Sequence, residues 1–221
     1  MVETETRIDD ARVAAAFLTR LPLALAHPPG PGRLARASWA FPIVGLVIGI
    51  AGGLVYGAAH WLGLPPLLAA VFALAAQIMF TGALHEDAIA DVADGFGGGA
   101  TRERKLEIMR DSRIGTFGVV ALIFSVGLRA SALAAMGAPW LAATALIAAG
   151  AVSRGGLPVA MLGLDPVRQG GLGAGAGRPN RTHFLGAVGL GALVAILALG
   201  LDVGLAALLS AGAAGVALAW L

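Results

Sequence analysis

An acidic segment near the middle of the chain carries residues whose types and spacing suggest chemistry. Asp87, Asp91 and Asp94 follow one another at intervals of four and three residues, so on an α-helix they lie within about 60° of one another. Carboxylates that converge on one face repel one another, and a divalent cation relieves that repulsion. Oxygen ligands favour Mg²⁺ or Mn²⁺ over Zn²⁺, and protein-bound Mg²⁺ usually also contacts phosphate oxygens. We therefore predict a magnesium site of Asp87, Asp91 and Asp94, with Glu86 beside them.

The alternative interpretation of this segment is a solvated helix face with ordinary surface acids. Against it, the intervening residues are apolar: Ala88, Ile89, Ala90, Val92 and Ala93. We expect a helix that packs this apolar face and presents the acidic one. The glycine-rich run 95–99 follows directly, and it permits either a sharp turn or the close approach of a ligand.

A basic segment, residues 109–116, follows at the point where the chain re-enters an apolar stretch. Arg110 and Arg113 flank Asp111 and Ser112. Guanidinium groups suit phosphate because they can donate two parallel hydrogen bonds to it. The alternative is that these arginines only set the membrane topology. The segment therefore predicts a phosphate-binding loop close to the acidic helix.

Two arginines lie inside apolar stretches, where a charge is costly and by default indicates a functional site or an ion pair. Arg154, next to Ser153, is about nine residues from the polar end of its stretch, roughly 14 Å along a helix. It could bind a substrate phosphate or pair with an acid. Arg129 is as readily a structural partner of an acid, and Arg20 is a weaker candidate for substrate binding.

The composition indicates an integral membrane protein. Hydrophobic residues make up 58% and charged residues 13% of the 221 residues, against roughly a quarter charged in soluble domains, and the mean hydropathy is +0.84. With no cysteine, disulfides and thiolate metal sites are excluded. Six apolar stretches approach the length of about 20 residues that a transmembrane helix needs: 41–61, 65–84, 114–136, 139–162, 184–200 and 203–221. The predicted fold is an all-α polytopic membrane helix bundle with about six transmembrane helices, a single integral membrane domain over residues 1–221.

The distribution of cations predicts the orientation. With six spans, the polar segments 1–40, 85–113 and 163–183 fall on one side and hold every Lys and Arg outside the spans. The connections on the other side hold none. By the positive-inside rule the three polar segments are cytoplasmic, which predicts a multi-pass protein of the cell (inner) membrane with its active face in the cytoplasm. A nucleic-acid partner is not expected, because the arginines lie at membrane boundaries.

These motifs together resemble those of the cobalamin-5′-phosphate synthase family, the adenosylcobinamide-GDP ribazoletransferases. The resemblance extends over most of the chain. It rests on these stretches, in the family's order: Phe17-Leu-Thr-Arg-Leu-Pro22, residues 41–49, Thr81-Gly-Ala-Leu-His-Glu-Asp87 with its continuation to Gly95, Leu106-Glu-Ile-Met-Arg-Asp-Ser-Arg-Ile-Gly-Thr-Phe-Gly118, and Val152-Ser-Arg154. Two departures accompany it. Ala88 stands where the family usually has glycine. Family members usually continue into a Gly-Gly-x-Thr-Gly-Asp segment and a last span, which we expect this chain to lack.

The resemblance implies a late step of cobalamin biosynthesis. The adenosylcobinamide-phosphate group of adenosylcobinamide-GDP passes to α-ribazole or its 5′-phosphate, and GMP leaves. Mg²⁺ on the acidic segment would bridge the diphosphate, Arg110 and Arg113 would stabilise the transferred phosphoryl group, and Asp111 is a candidate base. The implied substrate-binding residues are His85, Ser112, Ser153, Arg154 and Arg20.

Two other functions remain open on the residues alone. One is another membrane transferase that uses diphosphates, of the CDP-alcohol phosphotransferase or polyprenyl transferase type. Polyprenyl transferases normally carry their acidic motif twice, and the second half of this chain has only Asp165 and Asp202. The other is a transporter, in which the in-span arginines would line a pathway. The oligomeric state is not determined by the sequence, and a homo-oligomer is compatible with it.

Overall fold

The computed structural model describes residues 6–25, 30–167 and 172–219, and within these ranges it contains helices and no strand, which confirms the all-α prediction. The helices are α1 (Thr6–Leu18), α2 (Arg33–Ala37), a 3₁₀ turn (Ser38–Ala40), α3 (Phe41–Trp61), α4 (Pro66–Thr81), α5 (Leu84–Gly98), α6 (Arg102–Ile108), α7 (Thr116–Ala134), α8 (Pro139–Gly155), α9 (Leu157–Gly163), α10 (Leu172–Ala176), α11 (Arg181–Leu199) and α12 (Leu201–Ala219).

Four helical segments of the described chain are long and apolar enough to cross a membrane. They are Arg33–Trp61, Thr116–Ala134, Pro139–Gly163 and Arg181–Leu199. They match four of the six predicted spans: 41–61, 114–136, 139–162 and 184–200. The apolar runs of these stretches therefore identified the helices. Their ends differ by at most three residues, except that the first candidate span begins at Arg33, where the short helix α2 precedes α3.

The other two predicted spans differ from expectation. The stretch 65–84 forms only the 16-residue helix α4, and it reaches spanning length only together with α5, from which a bend of 93° separates it. Counting that bent pair as one span gives five candidates. The stretch 203–221 corresponds to α12, whose described apolar part, Leu201–Ala217, is shorter than a full span.

The bend has a local cause at Gly82 and Ala83. Both adopt left-handed backbone conformations, with φ of 66° and 60°. The Ala83 amide donates to the Ile78 carbonyl and the Gly82 amide to the Met79 carbonyl, the hydrogen-bond pattern of a Schellman motif that ends a helix. As a consequence, the acidic segment stands on a separate helix, α5.

The chain divides into two compact units, residues 1–54 with 143–221, and residues 55–142. In the first unit, α3 and α8 approach closely through glycine. A Cβ on Gly45 would lie 2.0 Å from the Gly150 carbonyl oxygen, and one on Gly49 would lie 2.6 Å from the Ile147 Cα. Small residues allow such contact between membrane helices, where packing drives association.

The N-terminal helix of the first unit is held by a buried carboxylate. Asp10 on α1 is 3% exposed, and its Oδ1 lies 3.2 Å from Arg36 Nε and 3.5 Å from Arg33 Nε, both on α2. Phe17 stacks on Phe41 with ring centroids 6.1 Å apart. Helix α1 therefore packs against the start of the first span.

In the second unit, α5 packs against α4, α6 and α7. The glycine run at the end of α5 allows the neighbouring residues to approach the α5 backbone closely. A Cβ on Gly97 would lie 2.4 Å from the Phe117 ring, and one on Gly95 would lie 2.6 Å from Met109 Cε. The run therefore packs closely on neighbouring residues of the unit, and within it the chain leaves α5 at Gly98 to turn towards α6, as one of the two expectations had it. A close approach of a ligand to this run stays a prediction.

Candidate functional site

Helix α5 presents its acids in two directions. Glu86 and Asp94 are buried at 9% and 8% exposure, while Asp87 is exposed and Asp91 half-buried. The apolar side chains of Ile89, Val92 and Phe96 are exposed, at 40%, 50% and 45%. The expectation that the apolar face packs and the acidic face is presented is therefore wrong, because two of the acids have binding partners inside the unit.

Asp94 binds the start of helix α7. Its Oδ2 accepts a hydrogen bond from the Gly115 amide at 2.7 Å, and its Oδ1 accepts one from the Gly118 amide at 2.8 Å. A helix N-terminus has amides without intrahelical partners and a partial positive charge, so a carboxylate is stabilised there. Both oxygens of Asp94 are therefore engaged by backbone.

Glu86 binds a residue of the same helix α7. Its Oε1 lies 3.1 Å from Arg129 Nη2, and Arg129 Nε donates to the Ser125 carbonyl at 3.0 Å. The in-span cation Arg129 is thus an ion-pair partner, which is one of the two outcomes expected for it. The pair joins α5 to α7, the helix that follows the basic loop.

The four predicted metal ligands therefore do not form one cluster. In the part of the chain that the structure describes, no group of three or more His, Cys, Asp or Glu side chains is arranged to hold a metal ion. Asp87 and Asp91 remain one helical turn apart on α5. Two carboxylates fit Mg²⁺, which keeps several waters and takes further oxygens from a substrate phosphate. A magnesium ion here would thus rest on Asp87 and Asp91, without Glu86 and Asp94.

The predicted phosphate loop lies between α6 and α7, and its four residues Arg110, Asp111, Ser112 and Arg113 are all exposed. Within it, Asp111 and Arg113 form a bidentate pair. Arg113 Nη2 lies 2.6 Å from Asp111 Oδ2, and Nε lies 3.0 Å from Oδ1. The hydrogen bond from the Arg113 side chain is the main cause that lowers the pKa of Asp111 from 3.8 to about 2, because it favours the ionised carboxylate.

A cavity of about 370 Å³ lies beside this loop. Asp111 and Arg113 line it together with Asp94, and so do Arg104, Glu107, Thr116 and Gly115. The structure therefore brings together part of the predicted site. The other predicted residues of this unit are not among the lining residues: Arg110, Ser112, the half-buried His85, Glu86, Asp87 and Asp91.

Three predicted substrate-binding residues belong to the first unit. Arg20 is exposed just after α1. Ser153 Oγ donates to the Ala149 carbonyl of its own helix at 2.6 Å and accepts from Arg154 Nη1 at 2.9 Å. The Ser153-Arg154 motif thus forms a local hydrogen-bonded pair near the C-terminal end of α8.

The sequence matches the cobalamin-5-phosphate synthase family over residues 10–221. The chain belongs to this family. It is 53% identical over 212 residues to an adenosylcobinamide-GDP ribazoletransferase of Bradyrhizobium diazoefficiens, a match that covers 96% of this chain and 82% of the relative. Ribazoletransferases of Mesorhizobium japonicum and Azorhizobium caulinodans are 47% and 44% identical, over 93% and 91% of this chain and 78% of each relative. No solved structure matches.

Membership of the cobalamin-5-phosphate synthase family decides between the functions that the residues left open. It confirms the family resemblance and does not support a polyprenyl transferase, a CDP-alcohol phosphotransferase or a transporter. Arg129 pairs with Glu86. This structural role differs from the one that the transporter hypothesis gave Arg129, which was to line a pathway.

The sequence did not single out Arg104, which lines the cavity beside the loop. Its Nη1 lies 2.6 Å from Glu107 Oε2, and both residues line the cavity with Arg113. The only local signal at Arg104 is the N-cap Thr101, whose hydroxyl accepts from the Arg104 amide at 3.2 Å. That cap fixes the start of α6, and only the fold shows that its side chains face the same cavity as the loop.

Proposed function

We propose that this chain transfers the adenosylcobinamide-phosphate group of adenosylcobinamide-GDP to α-ribazole or its 5′-phosphate. The observation that carries this proposal is the family match over residues 10–221, joined by ribazoletransferase relatives of 44% to 53% identity. A hydroxyl oxygen of the ribazole attacks the phosphorus next to the corrinoid linker. The bond from that phosphorus to the GMP oxygen breaks, a phosphodiester forms, and GMP leaves.

The cavity beside the basic loop supports diphosphate binding. Arg104 and Arg113 line it, and each guanidinium is held by an acid, Glu107 and Asp111. A diphosphate that enters the cavity takes the place of these acids on the arginines, because phosphate oxygens accept the same forked hydrogen bonds. Arg110, exposed in the same loop, adds positive charge to it.

Asp111 accepts the proton of the attacking hydroxyl in this proposal. A carboxylate with a pKa of about 2 is a weak base at neutral pH. When a phosphate replaces Asp111 on the Arg113 guanidinium, the side-chain hydrogen bond that is the main cause of the lowered pKa is lost, and the basicity of Asp111 rises. Substrate binding and activation of the base are thus coupled through Arg113.

Asp87 and Asp91 are the residues that would hold Mg²⁺ in this proposal. The exposed position of Asp87, one turn from Asp91, supports them. Bound there, the ion would offset the charge of the diphosphate and stabilise the leaving GMP. The two carboxylates would hold and orient the ion.

The protein lies in the cell membrane with α5 and α6 toward the cytoplasm in this proposal. The cations outside the spans lie in the segments 1–40, 85–113 and 163–183, which are the cytoplasmic ones by the positive-inside rule. Two tryptophans lie at the other ends of the spans. Trp61 is the last residue of α3 and is 85% exposed, and Trp140 lies in the first turn of α8 and is 65% exposed. Exposed tryptophans are typical of a membrane interface.

A growth experiment tests the function in cells. A bacterial strain deleted for its own ribazoletransferase is given cobinamide and the lower-ligand base under cobalamin-dependent growth. Expression of this chain should restore growth, while an Asp91→Asn variant present at the same level in the membrane should not. Failure of the wild-type chain to restore growth, when a relative from Bradyrhizobium diazoefficiens does so, would contradict the proposal.

A further inference from the structure

Helix α7 begins without a capping side chain of its own. Its N-cap is Gly115, which makes no side-chain cap hydrogen bond, and its third position is Gly118. In a capping box the side chains at these two positions satisfy each other's amides. Here both positions are glycine, and Asp94 of α5 accepts from both amides, at 2.7 and 2.8 Å.

The contact between Asp94 and α7 depends on these two glycines. A Cβ on either Gly115 or Gly118 would lie 2.4 Å from an Asp94 carboxylate oxygen, closer than real Cβ contacts. The backbone of Gly115, at φ −96° and ψ 177°, suits any residue, so it is the close approach of Asp94 that excludes a side chain. Asp94 is also 8% exposed, and a negative charge at a helix N-terminus is favourable.

We propose that Asp94 is a positioning residue that ties α7, and the basic loop running directly into it, to α5. The loop ends at Gly115, so holding that amide fixes the position of Arg113 and Asp111 relative to the helix that carries Asp87 and Asp91. The role of Arg113 and Asp111 as site residues rests on the proposed function, whereas the contact between Asp94 and α7 does not. On this proposal Asp94 differs from Asp87 and Asp91 in role, although the three share one spacing pattern.

The tie is tested first by hydrogen exchange on the full chain in detergent. Loss of a cap lowers local helix stability, so Asp94→Ala should speed exchange of the amides at 115–118 by about fivefold. Asp94→Asn, which keeps one accepting oxygen without the charge, should recover part of the protection. Gly118→Ala should reproduce the loss with Asp94 intact, whereas Gly127→Ala should not, because a Cβ at Gly127 meets nothing within 4 Å.

Positioning is separated from simple capping by a compensating substitution. In Asp94→Ala/Gly115→Ser the new serine caps α7 from its own N-cap position, so exchange at 115–118 should slow again. The tie to α5 stays broken. Because the chain has no cysteine, spin labels on Ala88→Cys and Ile114→Cys, both exposed positions, report the distance between α5 and the loop. That distance distribution should be narrow in the otherwise unchanged chain and broad in Asp94→Ala, and it should stay broad in the double variant.

A metal-ligand role is tested with Mn²⁺ alone, followed by electron paramagnetic resonance. Asp94→Ala should bind Mn²⁺ within about twofold of the unchanged chain, because its oxygens are occupied by backbone amides. The positioning proposal is overturned if Asp94→Ala leaves exchange and label distance unchanged, if the serine of the double variant restores the label distance, or if Mn²⁺ binding falls about tenfold or more as for a lost ligand. The exchange and distance results hold whether or not ribazole transfer is observed.

Discussion

Glu86 of α5 and Arg129 of α7 form an ion pair inside the second unit, with Oε1 and Nη2 3.1 Å apart. The Glu86 side chain is 12% exposed and that of Arg129 40%. A charge in a bilayer is costly, and breaking such a pair leaves the remaining charge without its partner. The pair explains why a cation is tolerated within the spanning segment 116–134.

Removing one partner of this pair should therefore destabilise the fold more than removing both. We expect Glu86→Leu to lower the free energy of unfolding by about 2 kcal/mol, and Glu86→Leu/Arg129→Met to restore part of it. Unfolding in mixed detergent micelles measures both, with Glu103→Gln on the exposed face of α6 as the control. A Glu86→Leu variant as stable as the unchanged chain would show that the pair contributes nothing.

The packing of α3 on α8 should be sensitive to a single methyl group. At Gly49 a Cβ would lie 2.6 Å from the backbone of Ile147, whereas at Gly57 on the same helix it meets nothing within 4 Å. Gly49→Ala should cost about 2 kcal/mol because backbone cannot move aside, while Gly57→Ala should be neutral or slightly stabilising. Thermal unfolding in detergent compares them, and a Gly49→Ala variant as stable as Gly57→Ala would refute close packing here.

How much of this architecture could be predicted from the sequence depends on the range of the interaction. The apolar runs identified four spans within a few residues of their ends, since length and hydropathy are local properties. The bend at Gly82 and Ala83 lies inside an apolar run, and an alanine in the left-handed conformation has no sequence signal. The spacing of Asp87, Asp91 and Asp94 correctly put them on one helix. Their separate roles depend on which partners α7 supplies, and no pattern within α5 contains that information.

The pH dependence of the reaction should show no titration of Asp111 near neutrality. Its pKa is lowered to about 2 by Arg113, so the ion pair is complete above the ordinary value of 3.8 and is lost only as the pH falls towards 2. In kcat/KM, which reports the free enzyme, wild type and Asp111→Asn should therefore have profiles of the same shape between about pH 5 and 8, at different heights. An acidic limb present in wild type and absent from Asp111→Asn would contradict the lowered pKa.

Arg104 should contribute to substrate binding through the cavity that it lines with Arg113. Arg104→Gln should raise KM for adenosylcobinamide-GDP by about tenfold, the loss of one charge-assisted hydrogen bond, with a smaller effect on kcat. Arg102→Gln, an exposed arginine of the same helix that does not line the cavity, is the matched control. If both substitutions change KM equally, the cavity is not the diphosphate site.

Asp91 should be required for turnover and for the response to magnesium. We expect Asp91→Asn to lose turnover by about a hundredfold or more while it remains folded in detergent. Glu103→Gln, an exposed acid of the neighbouring helix α6 that does not line the cavity, should leave the magnesium concentration for half-maximal rate unchanged. Near-normal turnover of Asp91→Asn would remove α5 from the mechanism.

The most direct test of the account is the stoichiometry of the transfer itself. Purified protein in lipid is given adenosylcobinamide-GDP, α-ribazole and Mg²⁺, and GMP and the corrinoid phosphodiester are both quantified by mass spectrometry. The account predicts that they appear in equal amounts, and that neither forms without the ribazole or in the Asp91→Asn variant. Folded protein that forms no phosphodiester, or that releases GMP at the same rate without ribazole, would contradict it.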